Sequence, residues 1–342
     1  MVVLSQVALE QFIKTCKPNT INPNIPQNII PTIDLSKSNA KSMLVNACQE
    51  FGFFKVENHG IPIQIMSQLE DEACKFFSLP LLNKESAGVA NPFGYGNKHI
   101  GRNGDVGWVE YLLLSASPDF ISQISVSIYP HNPDLLRYAI MNYLTKVKKM
   151  GVQILEMIAE GLNARKEEKN IISKMIKDEK SDSYIRLNHY PPRPEEATLS
   201  LNGKNMVGFG EHTDPQILSI LRSNDTPGLQ ICLHDGSWVS VPPDQNSFFI
   251  LVGDSLQVMT NGRFKSVKHR VLADNKKSRI SMIFFAGPPL SEKISPLPCI
   301  MQPNEESLYE EFTWREYKNS AYNSRLSDNR LLSFLKNKPN QI

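Results

Sequence analysis

From Ser183 onward the chain is a succession of short β-rich runs, each cut off by a turn signal, and this punctuation limits the fold more than any other feature. The runs are Tyr184–Tyr190, Met206–Thr213, Leu218–Ser223, Leu229–Leu233, Trp238–Val241, Phe248–Val252, Ser266–Leu272 and Arg279–Phe285. Between them stand Pro191-Pro192, Asp225, Pro227-Gly228, Asp235-Gly236 and Asn261-Gly262. About eight strands at this spacing predict a sandwich or a jelly roll. Upstream, Ser38–Glu50, Pro62–Phe77 and Pro133–Gly161 carry apolar residues at helical spacing. In the last of these Leu136, Ile140, Leu144, Val147, Ile154 and Ile158 approximate one stripe. The tail reads as helix again from Pro303 to Tyr317. The expected class is α+β, a jelly-roll core flanked by helices. Residues 1–180 are expected to pack on the core, 181–290 to form it and 291–342 to add a helical tail, all as one structural unit.

Composition excludes several functions. Lys+Arg is 37 against Asp+Glu 35, a formal net charge of +2, so no basic stripe is available to neutralise phosphates, and nucleic acid is not an expected partner. The longest apolar runs, such as Met282 to Gly287, are strand-length, far short of the ~20 residues that cross a bilayer, and no membrane span is expected. The first residues lack the basic start, apolar middle and small-residue cleavage site of a secretory signal. The cysteines (Cys16, Cys48, Cys74, Cys232, Cys299) are scattered and never closely paired, unlike a disulfide framework or zinc site, and a cytoplasmic protein is expected. Nothing in the sequence fixes an oligomeric state.

The residues that suggest chemistry lie on the predicted strands. In Met206-Val-Gly-Phe-Gly-Glu-His212-Thr-Asp214, alternate side chains share a face, so His212 and Asp214 are expected to point into one cavity. Gly208 and Gly210 precede them on that face and are expected to leave room for a ligand. A His-x-Asp triplet alone says little about metal binding. A third donor changes this, because Ser266-Val-Lys-His269-Arg-Val places His269 on another predicted strand. Two neutral imidazoles and one carboxylate make the facial triad that suits non-haem Fe(II) and leaves positions open for substrate and dioxygen. Zinc more often recruits three histidines or a cysteine. The last strand puts Arg279, Ser281, Ile283 and Phe285 on one face. An arginine fork grips a carboxylate by two parallel charge-assisted bonds and the serine can add a third, so a dicarboxylic cosubstrate is expected.

His212-x-Asp214, His269 and Arg279-x-Ser281, preceded by Asn188-His-Tyr190-Pro, resemble the signature of the plant Fe(II)- and 2-oxoglutarate-dependent dioxygenases. Longer blocks resemble the gibberellin 2-oxidases among them: Asn91-Pro-Phe-Gly-Tyr-Gly, Gly104-Asp-Val-Gly-Trp-Val-Glu-Tyr-Leu-Leu-Leu, Gly210-Glu-His-Thr-Asp-Pro-Gln, and the run from Asp254 to Val271. The likeness extends from Ile30 to Tyr322. It implies a double-stranded β-helix, with iron held by His212, Asp214 and His269. It further implies that Arg279 and Ser281 grip the distal carboxylate of 2-oxoglutarate, with Tyr190 and Asn188 completing that site. The implied activity consumes dioxygen and 2-oxoglutarate to place a hydroxyl at the 2β position of a gibberellin, which inactivates the hormone. His189 replaces an aromatic residue common in related enzymes and is expected on the other strand face.

A gibberellin is a rigid tetracyclic carboxylic acid, so its pocket is expected to combine large apolar walls with a cation or a cluster of donors. Apolar candidates are Trp108, Tyr111, Ile283 and Phe285, and donor candidates are Tyr95, Asn97, Lys98 and Arg222. The glycine-rich stretch Gly94–Gly104 reads as a mobile binding lip or a long turn. The competing functions are a related dioxygenase acting on another gibberellin carbon or a flavonoid, and a jelly roll that binds metal or hormone without turnover.

Overall fold

The computed structural model describes residues 29–100, 103–162, 164, 168–192 and 206–337. The Pro/Asn-rich stretch up to position 28, Cys16 and charged positions 165–167 lie outside the described residues. In chain order the first elements are β1 (Thr32–Asp34), α1 (Ala40–Glu50), β2 (Phe53–Glu57), α2 (Ile63–Ser78), α3 (Leu81–Glu85), β3 (Gly94–Ile100) and β4 (Asp105–Ser115). Then follow α4 (Pro118–Ile128), α5 (Asp134–Gly161), α6 (Ser173–Lys177), β5 (Tyr184–Tyr190), β6 (Val207–His212), β7 (Leu218–Ser223), β8 (Leu229–Cys232), β9 (Trp238–Ser240) and β10 (Phe248–Val252). The chain closes with α7 (Asp254–Met259), β11 (His269–Leu272), β12 (Arg279–Ala286), β13 (Lys293–Ile294), β14 (Phe312–Thr313), α8 (Trp314–Tyr322) and a 3-10 turn at Arg330–Phe334.

The strands form an eight-stranded sheet in the order β1-β2-β10-β7-β12-β5-β4-β3, a four-stranded sheet in the order β6-β11-β8-β9 and a separate antiparallel pair, β13 with β14. Strands distant in sequence are neighbours in both larger sheets, as a jelly roll requires. Every pairing is antiparallel except β1 with β2.

Period-two alternation gives the large sheet two faces of different chemistry. One face carries Phe54 and Val56, Phe248 and Ile250, Leu218 and Ile220, Met282 and Phe284, Ile185 and Leu187, and Leu112 and Leu114, all buried against the helices. The stripe of α5 packs there, with Leu136, Ile140, Leu144, Val147, Ile154 and Ile158 buried. Truncating one such residue, Phe284 for example, removes ~3–5 kcal/mol of stability. The opposite face puts Phe53, Phe249, Leu251, Leu221 and Ile283 against Phe209, Leu229, Ile231 and Val271 of the small sheet. Among the described residues no helix is long and apolar enough to cross a membrane.

Three features differ from what the sequence predicts. The stretch Gly94–Gly104 is mostly strand, because β3 pairs with β4 along most of its length. Pro118–Ile128 forms α4, a helix absent from the elements the sequence predicts. The tail helix starts at Trp314 rather than Pro303. A capping box sets this start, since Thr313 accepts from the Glu316 N–H while Glu316 accepts from the Thr313 N–H. His59 closes a turn: its Nδ1 accepts from the Ile61 N–H at 3.1 Å and its Nε2 donates to the Asn246 carbonyl at 3.0 Å.

Candidate active site

The pairing of β6 with β11 sets His212 directly opposite His269, with ring centroids 4.2 Å apart. Each imidazole is oriented by its own backbone: Nδ1 of His212 meets the Gly210 carbonyl at 2.8 Å and Nδ1 of His269 meets the Val267 carbonyl at 3.2 Å. A carbonyl only accepts, so each Nδ1 carries the proton and each Nε2 is left as a lone-pair donor. Both Nε2 atoms face Asp214 Oδ1, at 3.5 Å from His212 and 3.8 Å from His269. Asp214 lies two residues past the end of β6 and is held from behind. The Ser219 hydroxyl donates to its Oδ2, and the Asp254 N–H donates to its carbonyl at 2.7 Å.

Burial works against the Asp214 carboxylate, but His269, His212 and the Ser219 hydroxyl together hold its pKa far below the usual carboxylate range. Burial and the neighbouring His212 push His269 down to about 4. At neutral pH His269 is therefore neutral and Asp214 ionised, the states in which both can donate to a cation. Ligand atoms of the three residues all lie within 4.8 Å of one another. Two nitrogens and one oxygen in a facial arrangement, open on the cavity side, fit ferrous iron.

The adjoining wall comes from β5 and β12, whose register sets Arg279 opposite Tyr190 and Ser281 opposite Asn188. Asn188 Nδ2 donates to Ser281 Oγ at 3.3 Å, and the Arg279 guanidinium lies 5.4 Å from the Tyr190 ring centroid. Arg279 is only 1% exposed, yet its Nε and Nη1 have no partner. A buried guanidinium in that state awaits an anion. The two glycines do not simply vacate ligand space. A Cβ on Gly208 would come within 2.6 Å of Tyr190 Cδ1, so the Tyr190 ring fills that space, and a Cβ on Gly210 would make an ordinary 3.7 Å contact with Leu326.

His212, Asp214 and His269 border a cavity of about 470 Å³ together with Asn188, Tyr190 and Ser281, while Arg279, on the same strand face as Ser281, is not part of its lining. Of the substrate candidates, Tyr111, Ile283 and Phe285 line it, while Tyr95, Asn97, Lys98, Trp108 and Arg222 do not. Strand parity explains the misses. Tyr95 pairs with Leu112 and Arg222 with Met282, both on the helix-facing side. There the Tyr95 hydroxyl donates to Glu110 at 2.6 Å and Arg222 donates to Glu70 at 2.5 Å. Trp108 shares that parity and donates from Nε1 to the Pro191 carbonyl at 2.9 Å, Lys98 lies 5.8 Å from its ring, and Asn97 is exposed. His189 faces away from the cavity as expected, between Glu110 and Ser278.

The cavity also exposes residues the sequence analysis did not single out: Tyr184, Arg186, Gln216, Lys318, Leu326 and Arg330. Tyr184 and Arg186 were within reach of the period-two rule already applied to Asn188 and Tyr190. Lys318, Leu326 and Arg330 come from the tail, which is tied down at the mouth: Asn103 donates to the Tyr322 and Ser324 carbonyls at 2.9 and 2.7 Å, and Asp105 accepts from the Leu326 N–H at 3.0 Å.

Comparison with known proteins agrees with this geometry. Residues 181–288 match the family model of the 2OG-Fe(II) oxygenase superfamily, and residues 30–132 match that of the non-haem dioxygenase in morphine synthesis N-terminal region. The chain is 60% identical to a gibberellin 2-beta-dioxygenase of Phaseolus coccineus, covering 98% of this chain and 99% of that one. It is 57% identical to gibberellin 2-beta-dioxygenase 1 of Pisum sativum, covering 97% of each. Among solved structures, JOX2 in complex with 2OG, Fe and JA superimposes with a TM-score of 0.78 at 25% identity, over 96% of this chain and 97% of that one. The rice dioxygenase for auxin oxidation, at 22% identity, a TM-score of 0.74 and coverage of 90% and 99%, shares the fold. With matched register, donor set and near full-length similarity, this chain belongs to the gibberellin 2-beta-dioxygenases of the 2OG-Fe(II) oxygenase superfamily.

Proposed function

We propose that this protein hydroxylates gibberellins at the 2β position, with ferrous iron as cofactor and 2-oxoglutarate and dioxygen as cosubstrates, and so inactivates the hormone. One observation supports the proposal most: His212, Asp214 and His269 line one cavity together with Asn188, Tyr190 and Ser281, and the buried Arg279, whose Nε and Nη1 have no partner, stands on the same face of β12 two residues from Ser281. His212, Asp214 and His269 would hold the iron, and Arg279, with Ser281, Tyr190 and Asn188, would grip the distal carboxylate of 2-oxoglutarate. Iron with 2-oxoglutarate supplies oxidative activation of dioxygen, placing one oxygen atom in a C–H bond and the other in succinate as carbon dioxide leaves.

The chain itself must aim one C–H bond and keep water away. Tyr111, Leu113, Ile283, Phe285 and Leu326 give the cavity apolar walls suited to a rigid hydrocarbon skeleton. The C-terminal segment borders the mouth and is tied to the β3–β4 edge of the large sheet through Asn103 and Asp105. Regiochemistry then follows from how that skeleton packs against the walls. A cytosolic setting agrees with the free thiols of Cys48, Cys74 and Cys232.

The test is turnover by purified protein with Fe(II), labelled 2-oxoglutarate and a panel of gibberellins. Carbon dioxide release should match formation of a product that mass spectrometry and NMR identify as 2β-hydroxylated. Silence with every gibberellin, or a new oxygen at another carbon, overturns the assignment.

A further inference from the structure

The cavity lining also carries arginines to which the iron and 2-oxoglutarate sites give no role, and one of them is held by its neighbours in a fixed plane. Arg186 projects from the middle of β5, between Leu113 of β4 and Ile283 of β12. Its Nε donates to Asn188 Oδ1 at 2.8 Å. Its guanidinium lies 3.9 Å from the ring centroid of Tyr111 and 4.8 Å from that of Phe209. Its Nη2 is buried without a partner. Two aromatic rings and one amide therefore fix the plane of this guanidinium while leaving hydrogen-bonding capacity unspent.

Arg186 is half-buried, but its Nη2 is fully buried, a costly state without an anion, and among the described residues no carboxylate pairs with it. Of the other cavity cations, Lys318 pairs with Asp182 at 2.6 Å, and Arg330 donates from Nη2 to the Thr213 carbonyl at 3.0 Å while its Nε has no partner; Arg186 differs in being held between two aromatic rings of the cavity wall. Arg186 borders the 2-oxoglutarate grip through its bond to Asn188 but stands at the far end from Arg279: its backbone is four residues from Tyr190, the partner of Arg279, about 13 Å at ~3.3 Å per residue. It nevertheless remains close to the metal donors, since Phe209, which it overlies, is 4.6 Å from His212 centroid to centroid.

We infer that Arg186 is the specificity-determining anchor for the substrate's own carboxylate, turning a rigid apolar acid so that one edge meets the iron site. The inference rests on the gibberellin hydroxylase function above and adds the residue that reads the acid. Charge selects the substrate, and the apolar walls then select the carbon.

The test compares a gibberellin with its methyl ester on wild type, R186Q and R186K. Wild type should favour the acid in kcat/KM by at least about tenfold, the worth of one charge-assisted hydrogen bond. R186Q should bring acid and ester to within about threefold of each other, and R186K, which keeps the charge, should retain an intermediate preference. If R186Q lowers both substrates by the same factor, Arg186 is merely structural and the inference is overturned. Should R186Q fail to fold, equilibrium binding of acid and ester to the anaerobic wild-type Fe(II)–2-oxoglutarate complex decides instead, and equal affinities overturn the anchor. Absence of turnover with any gibberellin overturns the hydroxylase function, whereas turnover without acid preference overturns only the anchor.

Discussion

On the helix-facing side of the large sheet, Arg222 is buried with Nε on the Gln245 carbonyl at 3.0 Å and Nη1 on Glu70 at 2.5 Å. On the cavity side Arg279 is equally buried and leaves Nε and Nη1 without partners, and Arg186 leaves Nη2. The same contrast holds for the neighbouring groups. Helix-facing Glu110 accepts from Lys84 and Tyr95 and meets His189. Burial opposes its charge, but those three partners hold its pKa below the ordinary carboxylate value. The strands are shared, and parity alone divides the roles. Polar groups on one face complete one another and hold helices to the sheet, while those on the other remain open for ligands.

The sharpest way to break this contrast is at the metal donors. Asp214→Ala should lower hydroxylation by more than about 10³-fold and abolish stoichiometric Fe(II) retention, while the circular dichroism melt stays cooperative. Retained iron and turnover would remove Asp214 from the site.

Next come the two arginines as a pair. Arg279→Met should raise the KM for 2-oxoglutarate about 100-fold, as loss of a charge-assisted pair predicts, without lowering Tm, because no internal partner is stranded. Arg222→Met should do the reverse, lowering stability by ~2 kcal/mol and leaving both KM values unchanged, since Glu70 loses its partner away from the cavity. If both variants lose stability equally, the two faces do not differ as described.

Smaller still is Gly208→Ala, whose methyl would strike the Tyr190 ring at 2.6 Å. Displacing that ring from Arg279 should raise the KM for 2-oxoglutarate about tenfold and cost ~1–3 kcal/mol in chemical denaturation. An unchanged KM would separate Tyr190 from the cosubstrate.

Least affected should be Asn97→Ala and Lys98→Ala, which lie off the cavity. Stability should stay within about 0.5 kcal/mol and turnover of gibberellin should be unaltered. A tenfold loss in either would return the β3 edge to the substrate site.

Much of this molecule was legible before any coordinates. The stripe of α5, the runs that became β5, β7, β10 and β12, and the convergence of His212, Asp214 and His269 were readable because each depends on a local period or a short motif. The face shared by Arg279, Ser281, Ile283 and Phe285 was readable for the same reason. Tyr95, Trp108 and Arg222 were misplaced because alternation tells which residues share a face but not which face meets the cavity. For β4 and β7 that choice was made by their neighbours, through the pairs Leu112 with Leu187 and Arg222 with Met282.

The chain's own sequence thus determined most element types, the shared face of His212 and Asp214 and the shared face of Arg279 and Ser281, all of which arise from spacings within a few residues. Tertiary structure alone decided that Arg186 would stand unpaired beside Phe209, that the ring of Tyr190 would occupy the space left by Gly208, and that the distant tail would border the cavity. Those outcomes depend on how sheets and segments remote in sequence pack together, and no local pattern of residues encodes which surfaces come into contact.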